Sequence, residues 1–193
     1  MFLYWPLLVL TWGVWHLWRL VTRERAFDSI DESLVVGRRL LPSEPPPGAH
    51  HYLDLTQEFE EPKPIRERAG YWSFPILDGG TATPEALVDL ASQLPPGRIY
   101  VHCAQGHGRT GLVAGVILMA TGRAATADEA LALVQQARPG ARLNPAQAEC
   151  LATCERLLRE RGSLSKANEE RSIETSLLAA VETAPMKEDD PVT

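Results

Sequence analysis

Residues 98–119 read RIYVHCAQGHGRTGLVAGVILM. Arg98–His102 is a short β-branched and aromatic run, the pattern of a buried strand. Leu112–Met119 is almost wholly apolar and predicts a buried helix. A glycine-rich turn joins the two. A helix N-terminus presents unpaired N–H groups and partial positive charge, so this junction suits an anion. Gly106 and Gly108 let the backbone curl until successive amides converge. Arg109 adds a planar fork that grips two oxygens of one oxyanion. Cys103 stands at the foot of this cradle, where the same positive field favours a nucleophilic thiolate.

The chain on either side repeats the alternation of strand and helix. Leu34–Val36, His51–Leu55 and Tyr71–Leu77 are strand candidates, the first broken by Gly37. Thr83-Pro84 opens a helix that stops at Pro95-Pro96-Gly97. Thr126 and Glu129 form a capping box for the next, which ends near Arg138-Pro139-Gly140. Asn144-Pro145 starts the last clear helix, which runs to about Arg161. The stretch holding Pro62 and Pro64 reads as a loop, with Lys63, Arg66 and Arg68 as solvated charges. Residues 23–33 read as a charged connector. Strands separated by helices predict an α/β domain over residues 29–162. Its sheet is expected to be central and mostly parallel, with about four to five strands flanked by helices.

Cys103, five residues, Arg109 and then Thr110, framed by His102 and Gly111, resembles the signature of the cysteine-based protein tyrosine phosphatases. The short domain is similar to their small, atypical dual-specificity branch. The resemblance spans roughly residues 29–161 and is strongest in the loop. It implies hydrolysis of phosphate monoesters through a phosphocysteine intermediate, on phosphotyrosine and phosphoserine or phosphothreonine proteins. No metal or cofactor is implied. Cys103 would be the nucleophile. Ala104, Gln105, Gly106, His107, Gly108 and Arg109 would hold the phosphate. Thr110 would donate a hydrogen bond to the Cys103 sulfur, and His102 would order the loop from beneath. The family places a general acid upstream on a mobile loop. Phe74-Pro75-Ile76-Leu77-Asp78-Gly79-Gly80 resembles that loop, which makes Asp78 the acid and its glycines a hinge. Leu143-Asn144-Pro145-Ala146-Gln147 resembles the segment whose glutamine places the hydrolytic water, so Gln147 takes that role; otherwise it is an exposed first-turn residue. Asp54 resembles the structural end of a strand. Two other readings stand beside this one. A phospholipid or phosphoinositide phosphatase would usually carry lysines in the loop, which this loop lacks. A catalytically weak phospho-binding module would not need the full set of reactive side chains.

The remainder of the 193 residues is uneven. Four of five Trp fall within the first 18 residues, and no Asp, Glu, Lys or Arg precedes Arg19. As a helix, residues 1–22 would reach about 33 Å, enough for a hydrocarbon core of about 30 Å. Aromatic residues sit near both ends, and Arg19, Arg23 and Arg25 follow. That pattern predicts a single-pass transmembrane anchor, a juxtamembrane connector over 23–28, and a catalytic domain on the cytoplasmic side. Residues 163–193 carry three basic and seven acidic residues, −4 of the chain's net −6, and read as a flexible acidic tail. With pI near 5.4, general nucleic-acid binding is excluded. Cys103, Cys150 and Cys154 are too few for a disulfide framework. The last two, four apart on one helix face, read as core residues; a metal site there would have to borrow His50 or His51.

Overall fold

The computed structural model describes residues 24–162, apart from 42, 43, 45, 46 and 69. The expected anchor (1–22), the start of the connector and the acidic tail (163–193) lie outside the described residues. No described helix is long and apolar enough to cross a membrane.

Five strands form one sheet: β1 (Phe27–Ser29), β2 (Leu34–Arg38), β3 (His51–Asp54), β4 (Tyr71–Ser73) and β5 (Ile99–Cys103). Their order is β1-β2-β5-β3-β4. All neighbours run parallel except β1, which pairs antiparallel with β2. The sheet is therefore mixed. The expected charged connector contains its edge strand, because Phe27 and Asp28 find partners in Gly37 and Val36. Gly37 does not break β2. A side chain there would overlap the Ala26 carbonyl and come within 2.7 Å of the Tyr100 hydroxyl, so glycine is what lets three strands close up. β4 is shorter than the Tyr71–Leu77 run, and residues 74–77 leave the sheet as an irregular segment.

The helices are α1 (Lys63–Arg66), α2 (Pro84–Gln93), α3 (Gly108–Ala120), α4 (Ala127–Ala137) and α5, described over 145–162. α1 replaces part of the expected Pro62–Pro64 loop. Its charges are paired: Lys63 with Glu67, Arg66 with Glu60, and Arg68 over the Tyr52 ring. Thr83 Oγ1 accepts from Ala86 N and caps α2, and Thr126 Oγ1 accepts from Glu129 N and caps α4. α3 packs against β5 and β2, with α2 and α4 laid on it, so nearly every side of it is buried. Alternation along the strands sorts the core into two layers. Leu34, Val36, Leu53, Ile99 and Val101 face the helices with Leu112, Val116 and Leu151. Val35, Tyr52 and Tyr100 face the other way and are covered by Leu40, Phe27 and Ile65.

Register then sets the site. Val101 of β5 lies between Val36 and Leu53, so Arg38 ends level with Cys103, and Asp54 level with His102. The carboxyl ends of three parallel strands thus converge on the loop that begins at Cys103, the place where open α/β sheets bind ligands.

Candidate active site

Cys103 closes β5 and is 3% exposed. The loop wraps its sulfur, and Gly106 N donates to Sγ at 3.2 Å. Gly106 has φ +76°, and a side chain there would overlap the Gly37 carbonyl. The loop is fastened from outside by Arg138, which is fully buried. Its Nη2 donates to the Gln105 carbonyl at 3.1 Å, and its Nε to the Gly106 carbonyl at 2.8 Å. A peptide plane whose carbonyl is held outward turns its N–H inward. The Gln105–Gly106 plane illustrates this, with Arg138 on one edge and the Cys103 sulfur on the other. Arg138 is held in turn by Asp28 at 2.8 Å and Glu24 at 3.3 Å. Glu24 also meets His107 of the loop at 2.9 Å.

Thr110 is buried, but its hydroxyl points toward the Gly37 carbonyl at 3.4 Å. The hydrogen bond on the sulfur comes from Gly106 rather than from Thr110. The strand-to-helix turn directs the Thr110 side chain back toward β2, which the spacing alone does not reveal.

Arg109 is 2% exposed; both terminal nitrogens of its guanidinium are engaged, while Nε is buried without a hydrogen-bond partner. Nη1 and Nη2 meet the two Glu58 oxygens at 2.8 and 2.6 Å. Nη1 also donates to the Ile76 carbonyl at 3.0 Å, and Nη2 lies 2.9 Å from Asp78 Oδ1. Burial alone would raise the Glu58 carboxyl, but the Arg109 hydrogen bonds and charge, together with the Gln57 and Glu58 backbone amides, outweigh it and hold the pKa below the ordinary value. Burial likewise opposes the Arg109 charge, and Glu58, Cys103 and Asp78 together more than restore it. Asp78 therefore stands at the cradle with its side chain 80% exposed.

The backbone behind Asp78 is held by the first turn of α5. Asn144 Oδ1 accepts from Gln147 N at 2.9 Å, and Gln147 Oε1 accepts from Asn144 N at 3.2 Å, a reciprocal cap. The remaining amides reach the acid loop: Asn144 Nδ2 donates to the Gly79 carbonyl at 2.8 Å, and Gln147 Nε2 to that of Gly80 at 3.1 Å. Gln147 is 2% exposed, so the exposed alternative for it fails. It also sits against Gly108, where a side chain would come within 2.8 Å of Oε1.

Beneath the loop, His102 stacks on Tyr100 with centroids 5.1 Å apart. Its Nδ1 faces Asp54 at 3.9 Å and Glu61 at 4.0 Å. Asp54 accepts from Thr56 and, at 2.8 Å, from the Tyr71 hydroxyl. Glu61 has Arg39 Nε 3.1 Å away. Burial pushes the His102 pKa down to about 4 and the Glu61 pKa up to about 7. His102 is thus a neutral ring at neutral pH. Asp54, Glu61 and His102 form the one group of three potential metal ligands among the described residues. Arg39 already lends a positive charge to that group.

The opening above Cys103 has a volume of about 220 Å3. Of the residues expected to bind phosphate, Gln105, His107, Gly108 and Arg109 line it, together with Cys103, Asp78 and Gln147. Ala104 does not, and Gly106 contributes its amide at the sulfur. Asn144 and Arg142 also line it. Cys150 and Cys154 lie elsewhere, donating to the Ala82 and Pro84 carbonyls at 3.5 and 3.7 Å. Burial pushes both thiols up, Cys154 to about 12, so they are inert core residues. Sequence reasoning missed Glu58, Arg138, Arg142 and Glu24. Only Glu58 left a trace, as an acidic residue shortly after a strand end.

No family model matches the chain. Part of it is 35% identical over 85 residues to 067L of Invertebrate iridescent virus 3, a protein named as a tyrosine phosphatase. The match takes in 38% of this chain and 35% of that one, so the chain spans about a third of that relative's length. The structure is similar to that of human DUSP28, with a TM-score of 0.58 and 19% identity over 70% of this chain and 96% of that one. It is also similar to PTPMT1 in complex with PI(5)P, with a TM-score of 0.58 and 16% identity over 72% of this chain and 99% of that one. The fold is that of the cysteine-based phosphatases. Within them, the resemblance is to the small atypical dual-specificity phosphatases, as the loop implies.

Proposed function

We propose that the protein is a phosphatase that hydrolyses phosphate monoesters through a phosphocysteine, acting on phosphotyrosine and phosphoserine or phosphothreonine proteins. The observation that carries this reading is the meeting of Cys103, Arg109 and Asp78 around one opening. The Cys103 thiolate attacks phosphorus as the bond to the leaving oxygen breaks. Arg109 and the loop amides stabilise the equatorial oxygens. Asp78, protonated, gives its proton to the leaving oxygen. Water then attacks phosphorus, Asp78 takes the proton, and the S–P bond breaks to return the thiolate and release phosphate. Gln147 and Asn144 position the acid loop, and Gln147 borders the space where that water would stand. His102 and Thr110 hold the loop to the sheet.

Residues 1–22 are proposed as the membrane anchor, supported by their aromatic, charge-free composition. That anchor is also what favours the second reading, an inositol phospholipid substrate at the bilayer surface. Release of phosphate from an aryl phosphate tests the chemistry. Cys103→Ser should abolish turnover while keeping phosphate-ester binding, and substantial residual hydrolysis would refute the phosphocysteine.

A further inference from the structure

Arg142 lines the opening, yet the chemistry above does not use it. It sits on the connection between α4 and α5, exposed, two residues before Asn144. The connection is fixed at both ends, by Arg138 on the cradle and by Asn144 on the acid loop. The other basic side chains of the opening are engaged: Arg109 by Glu58 and Asp78, and His107 by Glu24. Arg142 makes no hydrogen bond or ion pair with the described residues. An exposed arginine without a partner is ordinary on an open surface. Here it stands on the rim of the pocket that contains the nucleophile.

Space and charge agree. The opening, about 220 Å3, equals the liquid volume of about seven waters, more than one phosphoryl group fills. A phosphoryl group on Cys103 would take the loop amides and Arg109. A second anion on the same substrate would find one uncommitted cation, and a guanidinium fork fits either a carboxylate or a phosphate.

We propose that Arg142 forms a second anion subsite, which selects phosphopeptides bearing a carboxylate or a second phosphate beside the reacting phosphoresidue. This rests on the phosphatase reading. The test compares wild type, Arg142→Gln and Arg142→Lys on three phosphotyrosyl peptides of equal length. One has neutral flanks, one has Asp and Glu flanks, and one carries a second phosphorylated residue. Wild type should prefer an anionic peptide over the neutral one by about tenfold in kcat/KM, and added salt should shrink the preference. Arg142→Gln should lose it, and Arg142→Lys should keep part. A preference for only one anionic peptide identifies the anion as carboxylate or phosphate. Equal ratios in wild type and Arg142→Gln overturn the subsite. Dependence on Arg142 seen only with vesicles of inositol monophosphate lipid overturns the peptide class. If wild type hydrolyses none of the peptides and no aryl phosphate, the phosphatase reading falls, and the subsite with it.

Discussion

Glu61→Gln is expected to change how stability depends on pH, because it separates two buried groups that oppose each other. Glu61 and His102 are 3% and 1% exposed. The folded Glu61 carboxyl titrates at about 7 against an ordinary 4.5. Between those values the native protein keeps a proton that the unfolded chain has released, so stability falls as pH rises. His102 titrates at about 4 against an ordinary 6.5. Between those values the native ring lacks a proton that the unfolded chain carries, so stability rises with pH. At about 1.4 kcal/mol per tenfold, each displacement is worth about 3 kcal/mol, with opposite signs. The wild type therefore shows little net slope from this pair. The other groups facing them, Asp54 and Arg39, are common to both proteins and drop out of a comparison. Replacing Glu61 by Gln removes the falling contribution and leaves the rising one. The variant should gain on the wild type as pH goes from about 4.5 to 7, by up to about 3 kcal/mol, and then run parallel. Urea unfolding followed by far-UV circular dichroism, in steps from acid to mildly alkaline pH, measures this difference. A constant offset across that range would refute the account of the buried cluster.

Four further outcomes follow from the site. Asp78→Asn should lower kcat about 100-fold on an alkyl phosphate and much less on an activated aryl phosphate; equal losses on both would move the acid elsewhere. Glu58→Gln should weaken the hold on Arg109 and cut kcat/KM about tenfold, and an unchanged value would mean that the loop alone orients the guanidinium. Gly106→Ala should cost about 2 kcal/mol or more in thermal unfolding, since its left-handed backbone and the Gly37 carbonyl leave no room; an unaltered Tm would contradict that. Asn144→Ala should lower kcat in the wild type but not in an Asp78→Asn background, the sign that it acts through the acid. Additive losses in the double variant would assign it another role.

The cradle was readable because its chemistry is local. Strand, glycines, arginine and helix start lie within a dozen residues, and each constrains the backbone of the next. The caps of α2 and α4 were readable for the same reason. What escaped depends on long-range pairing. Glu58 meets Arg109 across 51 residues, and Arg138 meets Asp28 across 110. Neither partner carries a local sign of the other. β1 has three residues, too few for any periodicity, and exists because β2 offers it an edge. Gly37 misleads because glycine weakens an isolated strand, while here it admits the neighbouring β1 backbone and the Tyr100 hydroxyl into one place. The role that the resemblance implies for Thr110 rests on a matching position in the loop, which does not fix the direction of its hydroxyl.

The acid loop is held in two ways, and the holds differ in how they respond to phosphate. The carbonyls of Gly79 and Gly80 are tied to Asn144 and Gln147, residues that cap α5 and contact no phosphate in the proposed reaction. Among the described residues, the carboxylate of Asp78 is tied only to Arg109, the group a phosphoryl oxygen would claim. Arrival of substrate therefore competes for the second hold and leaves the first intact. In the proposed reaction the side chain would be released while its backbone stays in register with the cradle, so that Asp78, as the proposed proton donor, would turn toward the leaving oxygen by rotation about its own bonds. Gly79, with φ +71°, shapes the turn that makes this reach possible. Its glycine serves the geometry of the turn, and the hinge expected there is restrained by the two amides of α5.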